Sequence, residues 1–295
     1  MDNLTACPVC LSTDLSFRYS GRTTRNPSDP ARWNVSECRQ CGLGFLNPRP
    51  SWEELEPYYS AQYAAYGHSH GARYDDELTV VEARRTGTFR HIPIPDGKRV
   101  LDVGCGGGYF LRICAKLGAK VQGIEPSPIA AEQALSQGIP VFNGMIDTFE
   151  THERFDLITA SQVLEHVPDP VAVLAKMRSL LAPGGMIWLA VPNADCRWAN
   201  ALGWKWDGAD LPYHLLHFGP RAMESAATRA GLSIKRIYTD SQPSVVAFSY
   251  RTYLRIRYKV PKKLSTFAIT PDLVTGMARR MDAAGVGDTL IVELS

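Results

Sequence analysis

Val100-Leu101-Asp102-Val103-Gly104-Cys105-Gly106-Gly107-Gly108-Tyr109-Phe110 reads as a buried strand that breaks into a glycine turn and then opens a helix. Glycines there let backbone N–H groups press close against a ligand. The turn is spaced Asp102-x-Gly104-x-Gly106-x-Gly108. A nicotinamide-dinucleotide turn is spaced G-x-G-x-x-G instead. Asp102 stands two residues before the first glycine, where it would repel a pyrophosphate and attract a ligand carrying an ammonium and a sulfonium. A second carboxylate, Glu125, ends the apolar run Val121-Gln122-Gly123-Ile124. At the tip of the next strand it can grip both hydroxyls of a ribose. A tight strand-to-helix turn without a ligand would explain the glycines alone, but not the two carboxylates beside them.

Working outward, the alternation of strands and helices is regular and implies a parallel sheet. Strands are expected at Val100–Val103, Lys120–Glu125, Val141–Asn143, Phe155–Ser161, Met186–Val191, Ile234–Thr239 and in the closing run Asp288–Leu294. Helices are expected at Tyr109–Leu117, Pro128–Gln137, Pro170–Leu181 and Pro220–Ala230. Gly118, Gly138, Gly184 and Gly231 follow them as stops. With 295 residues, the chain has room for one large α/β domain and an appendage. The net charge of +2 excludes binding to nucleic acid by bulk charge. The N-terminus has no secretory signal pattern and no apolar run reaches spanning length, so a cytoplasmic setting is expected.

Four of the seven cysteines form two knuckles, Cys7-Pro-Val-Cys10 and Cys38-Arg-Gln-Cys41. Paired C-x-x-C turns in a chain without export features favour thiolate ligation of a structural zinc over disulfides. All four positions would be taken by protein, so such a zinc has no open site for catalysis. The 27 residues between Cys10 and Cys38 require a long hairpin. The expected division is a zinc ribbon over 1–50, a helical lid or linker over 51–97, and the main domain over 98–295, with an insertion at about 243–285. Ser51 is placed to cap a helix from Trp52. A tyrosine-rich run from Tyr58 to Tyr66 reads equally as a lid or as packing, Gly67–Gly71 is a polar break, and a second helix is expected at about Asp75–Arg90.

The pieces Val100–Phe110, Gly123–Ser127, Phe155–Ile158, Leu164-Glu165-His166-Val167-Pro168-Asp169-Pro170 and Leu181–Gly185, in this order, resemble the class I S-adenosylmethionine-dependent methyltransferases. The resemblance runs from about Arg99 to Gly231 with the last strand added. The front segment, Cys7–Pro50, is similar to the zinc-ribbon leader of some bacterial members that modify sugars, glycans or small metabolites. The resemblance implies a Rossmann-like, mostly parallel sheet with helices on both faces and S-adenosylmethionine as cofactor. It assigns Asp102, Gly104, Cys105 and Gly106 to the methionine end of the cofactor. Glu125, followed by Pro126, takes the ribose; Met145 and Ile146 flank the adenine, and Ser161 and Gln162 close the pocket.

Methyl transfer from a sulfonium is an in-line displacement, in which the protein aligns donor and acceptor and excludes water. A hydroxyl acceptor gains from a general base. Candidates are His166 and the pair His214 and His217, in the loop Asp210–Pro220. The i, i+3 spacing of that pair also suits a metal, but no third ligand stands in register. Trp198, Trp204 and Trp206 read either as a stacking face for a ring or as a clamp on the loop. Six basic residues and no acid fall in Arg251–Lys263, a stretch legible as a two-faced strand or as the continuation of a helix. It is suited to phosphates, an anionic membrane surface or solvent. The sequence points to methylation of a hydroxyl on a sugar, glycan or small metabolite. An RNA methyltransferase using ribbon and basic segment, and a non-catalytic cofactor-binding module, are the alternatives. The oligomeric state is not readable.

Overall fold

The computed structural model describes residues 1–26, 28–59, 76–89, 92–94, 97–267 and 269–295. The expected lid tyrosines beyond Tyr59, the break at Gly67–Gly71 and the outer ends of the Asp75–Arg90 helix lie outside these residues. The chain opens with β1 (Leu15–Gly21), β2 (Trp33–Cys38) and β3 (Gly44–Leu46). A short helix α1 (Trp52–Leu55) follows, entered through a capping box in which Ser51 and Glu54 satisfy each other's backbone N–H groups. Helix α2 (Asp76–Thr86) and the small hairpin β4 (Thr88–Phe89) and β5 (Ile92–Pro93) lead into the main sheet.

That sheet has seven strands. In chain order they are β6 (Arg99–Val103), β7 (Lys120–Glu125), β8 (Val141–Asn143), β9 (Phe155–Ser161), β10 (Leu181–Pro192), β12 (Ile234–Asp240) and β13 (Thr289–Leu294). The spatial order is β12-β13-β10-β9-β6-β7-β8. The pairs among β6 to β10 are parallel and β13 runs antiparallel between β10 and β12. The order reverses between β6 and β9, which creates the crevice where open α/β sheets bind ligands. The central strands are largely buried on both faces, which is why Met186–Val191 of β10 reads as an unbroken apolar run rather than an alternation. Leu101 and Val103 of β6 join one core cluster and Val100 the other. Ile187, Leu189 and Val191 of β10 divide from Trp188 and Ala190 in the same way. Helices α3 (Tyr109–Lys116), α4 (Pro128–Ser136), α5 (Pro170–Leu180) and α7 (Pro220–Arg229) cover the faces, with α6 (Arg197–Leu202) after β10. The α/β expectation, its strands and its covering helices therefore stand.

Three features depart from the sequence reading or resolve it. The strand β11 (Leu216–His217), drawn from the histidine loop, completes the N-terminal sheet in the order β1-β2-β3-β11. Leu216 pairs with Phe45 and His217 with Gly44. The cysteine knuckles and Phe45 also share a core cluster with Leu101 and Val292, so residues 1–50 are built into the main domain. Second, the insertion is helical: α8 (Pro243–Tyr258), α9 (Lys262–Phe267) and α10 (Pro271–Ala283). The basic stretch is thus helix through Tyr258. Third, no helix among the described residues is long and apolar enough to cross a membrane.

Candidate active site

The glycine turn after β6 is held by its own neighbours. Gly104, Gly106 and Gly108 take φ of 72°, 53° and 77°, a left-handed region that side chains strain to adopt. A Cβ on Gly104 would lie 2.6 Å from Val163 Cγ2, whereas one on Gly106 would meet nothing within 4 Å. Gly104 is therefore fixed by packing and Gly106 is left open. Glu125 ties the turn to the next helix: its carboxylate accepts from Gly106 N–H at 2.8 Å and from Ser127 N–H at 2.8 Å. Ser127 in turn caps α4. Asp102 is buried, and Thr159 Oγ1 donates to its Oδ1 at 2.6 Å. Burial pushes the Asp102 carboxyl up to about 7, against the Thr159 hydrogen bond and with help from the Glu125 charge.

A cavity of about 1260 Å³ opens over the C-terminal tips of the strands. It exceeds the roughly 300–1,000 Å³ usual for one small ligand, so two reactants fit. Asp102, Gly104, Cys105, Gly106, Ser161 and Gln162 line it, as expected. Gln162, directly after β9, holds a left-handed φ of 59°, backbone strain of the kind concentrated at working sites. Glu125, Pro126, Met145 and Ile146 do not line the cavity. Glu125 is occupied with the turn and Pro126 is exposed. The short turn Ile146–Thr148 sends Ile146 into the core and leaves Met145 46% exposed.

At the far end the cavity meets His166 and His214 but not His217. His166 follows β9 on the turn Leu164–His166; His214 lies in the loop before β11. Their rings meet edge to face, centroids 4.8 Å apart. Nδ1 of His166 donates to Tyr213 O at 2.9 Å and Nδ1 of His214 to Gly208 O at 2.9 Å, tautomers set by these carbonyl partners. The Nε2 of each is left as the basic nitrogen. Burial lowers His166 to about 3 and His214 to about 4, so both are neutral at pH 7. His217 is corrected out of this group: its strand pairing turns it to the ribbon side, where Nε2 bonds Ala209 O and Nδ1 lies 3.3 Å from Tyr19 Oη.

Several cavity residues escaped the sequence reading. Thr24 and Arg25, from the connection between β1 and β2, reach the cavity. The Arg25 guanidinium forks onto Asp210, Nε to Oδ1 at 2.9 Å, and stacks on Tyr213 at 4.5 Å. No motif marks Arg25, whose partner lies 185 residues away. Of the three tryptophans only Trp206 lines the cavity; Trp198 is core beside Tyr250 and Tyr253, and Trp204 packs over Gly21. The three do not form one stacking face in the cavity. Tyr58 and Tyr59 pack inward as well, Tyr58 donating to Asp29 and Tyr59 to Tyr213 O.

The thiols of Cys7, Cys10, Cys38 and Cys41 lie within 4.8 Å of one another, with Cys7–Cys41 at 3.6 Å and Cys10–Cys38 at 3.4 Å. A tetrahedral ion with bonds of about 2.3 Å separates its sulfurs by about 3.8 Å. Val9 and Cys10 aim their N–H groups at Cys7 Sγ, as a thiolate requires. Both knuckles turn through a left-handed residue after the second cysteine, Leu11 at φ 63° and Gly42 at φ 80°. The donor set fits a structural zinc.

A family model described as a methyltransferase domain matches residues 80–236, more than half of the chain. The chain belongs to this methyltransferase family, class I by its fold. The methyltransferase is similar to the ubiquinone biosynthesis O-methyltransferases of Proteus mirabilis and Photorhabdus laumondii. The first is 38% identical over 127 residues, covering 40% of this chain and 49% of that one. The second is 41% identical over 108 residues, covering 34% and 45%. The chain thus spans about half the length of the curated relatives it matches. Among solved structures, the fold matches a chain of a Haloferax volcanii complex between a methyltransferase activator and a putative methyltransferase. The TM-score is 0.51 at 18% identity, covering 82% of this chain and 95% of that one. It also matches a mycolic acid cyclopropane synthase complexed with SAH, with a TM-score of 0.50 at 16% identity, covering 83% and 98%.

Proposed function

We propose that the methyltransferase transfers a methyl group from S-adenosylmethionine to a hydroxyl of a small molecule. One observation carries this reading: a single cavity joins the Asp102 glycine turn to the neutral imidazoles of His166 and His214. Bound, the cofactor supplies an activated methyl group on sulfur. Asp102 faces its ammonium, the backbone of Gly104 and Gly106 its methionine end, and Glu125 its ribose after a small opening of the turn. Ser161 and Gln162 close the wall between donor and acceptor. The imidazole pair stands at the acceptor end, placed to act on the hydroxyl at neutral pH. The names of the curated relatives support a small-molecule hydroxyl over a sugar or glycan. A zinc on the four cysteines serves folding alone.

Calorimetry with S-adenosylmethionine tests the donor. Wild type is expected to bind and Glu125→Ala to bind at least tenfold more weakly; no binding by wild type defeats the reading. A screen with a labelled methyl donor against small hydroxylated acceptors, glycans and RNA tests the acceptor. Label appearing only in glycan or RNA would overturn the small-molecule assignment.

A further inference from the structure

Beside the two cavity-lining imidazoles, but not itself on the cavity wall, stands a carboxylate that nothing so far explains. Glu165 is 1% exposed, and neither of its side-chain oxygens has a hydrogen-bond partner in another residue among those described. An unpartnered buried carboxylate costs several kcal/mol unless a counter-charge or a proton meets it. One ligand atom each from Glu165, His166 and His214 lies within 4.8 Å of the others; the Asp210 charge also bears on Glu165 and stands 3.8 Å from His214 Nε2. The segments that carry them are locked together, since Leu215 N–H donates to Glu165 O at 2.7 Å.

We propose that Glu165, His166 and His214 hold a divalent first-row transition-metal ion at the acceptor end of the cavity. Three further features point the same way. Each imidazole donates Nδ1–H to a backbone carbonyl, the orientation that fixes a ligating ring and leaves its other nitrogen's lone pair for a metal. Burial keeps both rings in the neutral form that ligation requires. And the cavity reaches both rings, so an incoming oxygen can approach from their side. Two nitrogens and one carboxylate suit Zn²⁺ or Fe²⁺ rather than Ca²⁺ or Mg²⁺, which take oxygen ligands. A tetrahedral ion with bonds of about 2.1 Å needs donors about 3.4 Å apart, so binding would draw the three ligand atoms closer than the 4.8 Å that bounds them here.

The ion's role rests on the methyl-transfer reading above; its binding does not. With an ion in place the imidazoles act as ligands rather than bases. Held by Glu165, His166 and His214, such an ion would supply Lewis acidity that lowers the pKa of an acceptor hydroxyl beside it, whose proton would pass to solvent. The hydroxyl oxygen would then form a bond to the methyl carbon as the carbon–sulfur bond breaks, its electron pair staying on sulfur.

Equilibrium dialysis of the full chain against Co²⁺, without cofactor or acceptor, separates this site from the cysteines, because only thiolate ligation gives strong sulfur-to-cobalt charge-transfer bands. Wild type is expected to bind a cobalt equivalent whose spectrum shows weak d–d bands alone, in addition to any thiolate-bound one. Glu165→Gln and His214→Gln should each weaken that equivalent at least tenfold and leave the thiolate bands and the affinity for S-adenosylmethionine unchanged. Wild type saturating with thiolate-bound cobalt only, or an equivalent that survives both substitutions, would overturn the site. Should either variant fail to fold, the wild-type spectrum and stoichiometry decide alone. Failure of cofactor binding, measured separately, would sink the methyl-transfer reading and leave the metal site standing.

Discussion

Asp102 concentrates the conflict between folding and function at one carboxyl. Buried and raised to about 7, it keeps its proton near neutrality, while a bound ammonium favours the carboxylate. Binding as proposed should therefore expel a proton whenever the pH lies below about 7. The affinity for S-adenosylmethionine should be level above about pH 8 and fall by up to tenfold per unit as the pH drops from 7 toward 5. Calorimetry in buffers of different ionisation heat checks both the trend and the proton released. An affinity constant from pH 5 to 8 would show that the ammonium meets another group. The stability sign is opposite. The folded carboxyl binds its proton up to about 7 and the unfolded one only to about 3.8, so its contribution is present below 3.8 and lost as the pH rises through 7. Asp102→Asn should then bind cofactor at least tenfold more weakly, yet melt higher than wild type at pH 8, as expected where a site stores unfavourable burial.

At the scale of elements, the connection between β1 and β2 is the piece the sequence hides. A ribbon hairpin ordinarily ends at solvent; this one sends Arg25 back to Asp210, beside the loop that carries His214. The Arg25 side chain is 36% exposed and that of Asp210 9%, so the pair is half-solvated and its worth is modest. Arg25→Ala should cost about 1–2 kcal/mol, read by urea unfolding. Because Asp210 then loses the group that fixes its loop, kcat/KM should fall at least tenfold as well; unchanged kcat/KM would detach the hairpin from the site. The contrast with the β6 turn explains what was legible. Strand, turn and carboxylates at Val100–Phe110 lie in one continuous stretch, so local chemistry identifies them. Arg25 works through a contact distant in sequence and carries no local signal. The basic stretch read equally as strand or helix for another reason. None of Arg251–Tyr258 is fully buried, so no face was selected by burial, and its apparent two-residue alternation had no structural meaning. Likewise the i, i+3 spacing of His214 and His217 in their loop carried no information about facing: His217 is drawn into β11 and pairs with Gly44, while His214 stays in the loop at the cavity.

At the scale of the molecule, the cysteine knuckles behave as a staple on the whole domain. A self-contained ribbon would bury its own few side chains and share none with its neighbour. Here Cys7, Cys38 and Cys41 sit in the same cluster as Leu101 of β6 and Val292 of β13, Arg229 of α7 donates to Val9 O, and the fourth strand of the N-terminal sheet comes from the site loop. A zinc on the four thiols, if removed, should therefore loosen the knuckles, then β3, then β11 and the histidine loop behind it. Calorimetric unfolding should show one cooperative transition rather than two, since a shared core cannot melt in halves. If zinc is present at about 1,000 times its dissociation constant, binding contributes about 4 kcal/mol. Stripping it with a chelator should lower the single transition by on the order of 10 °C. Cys38→Ser should reproduce that drop without chelator and weaken methyl transfer through the displaced loop. Two separate transitions, with only the smaller one sensitive to chelator, would show instead that residues 1–50 fold apart from the domain they cover.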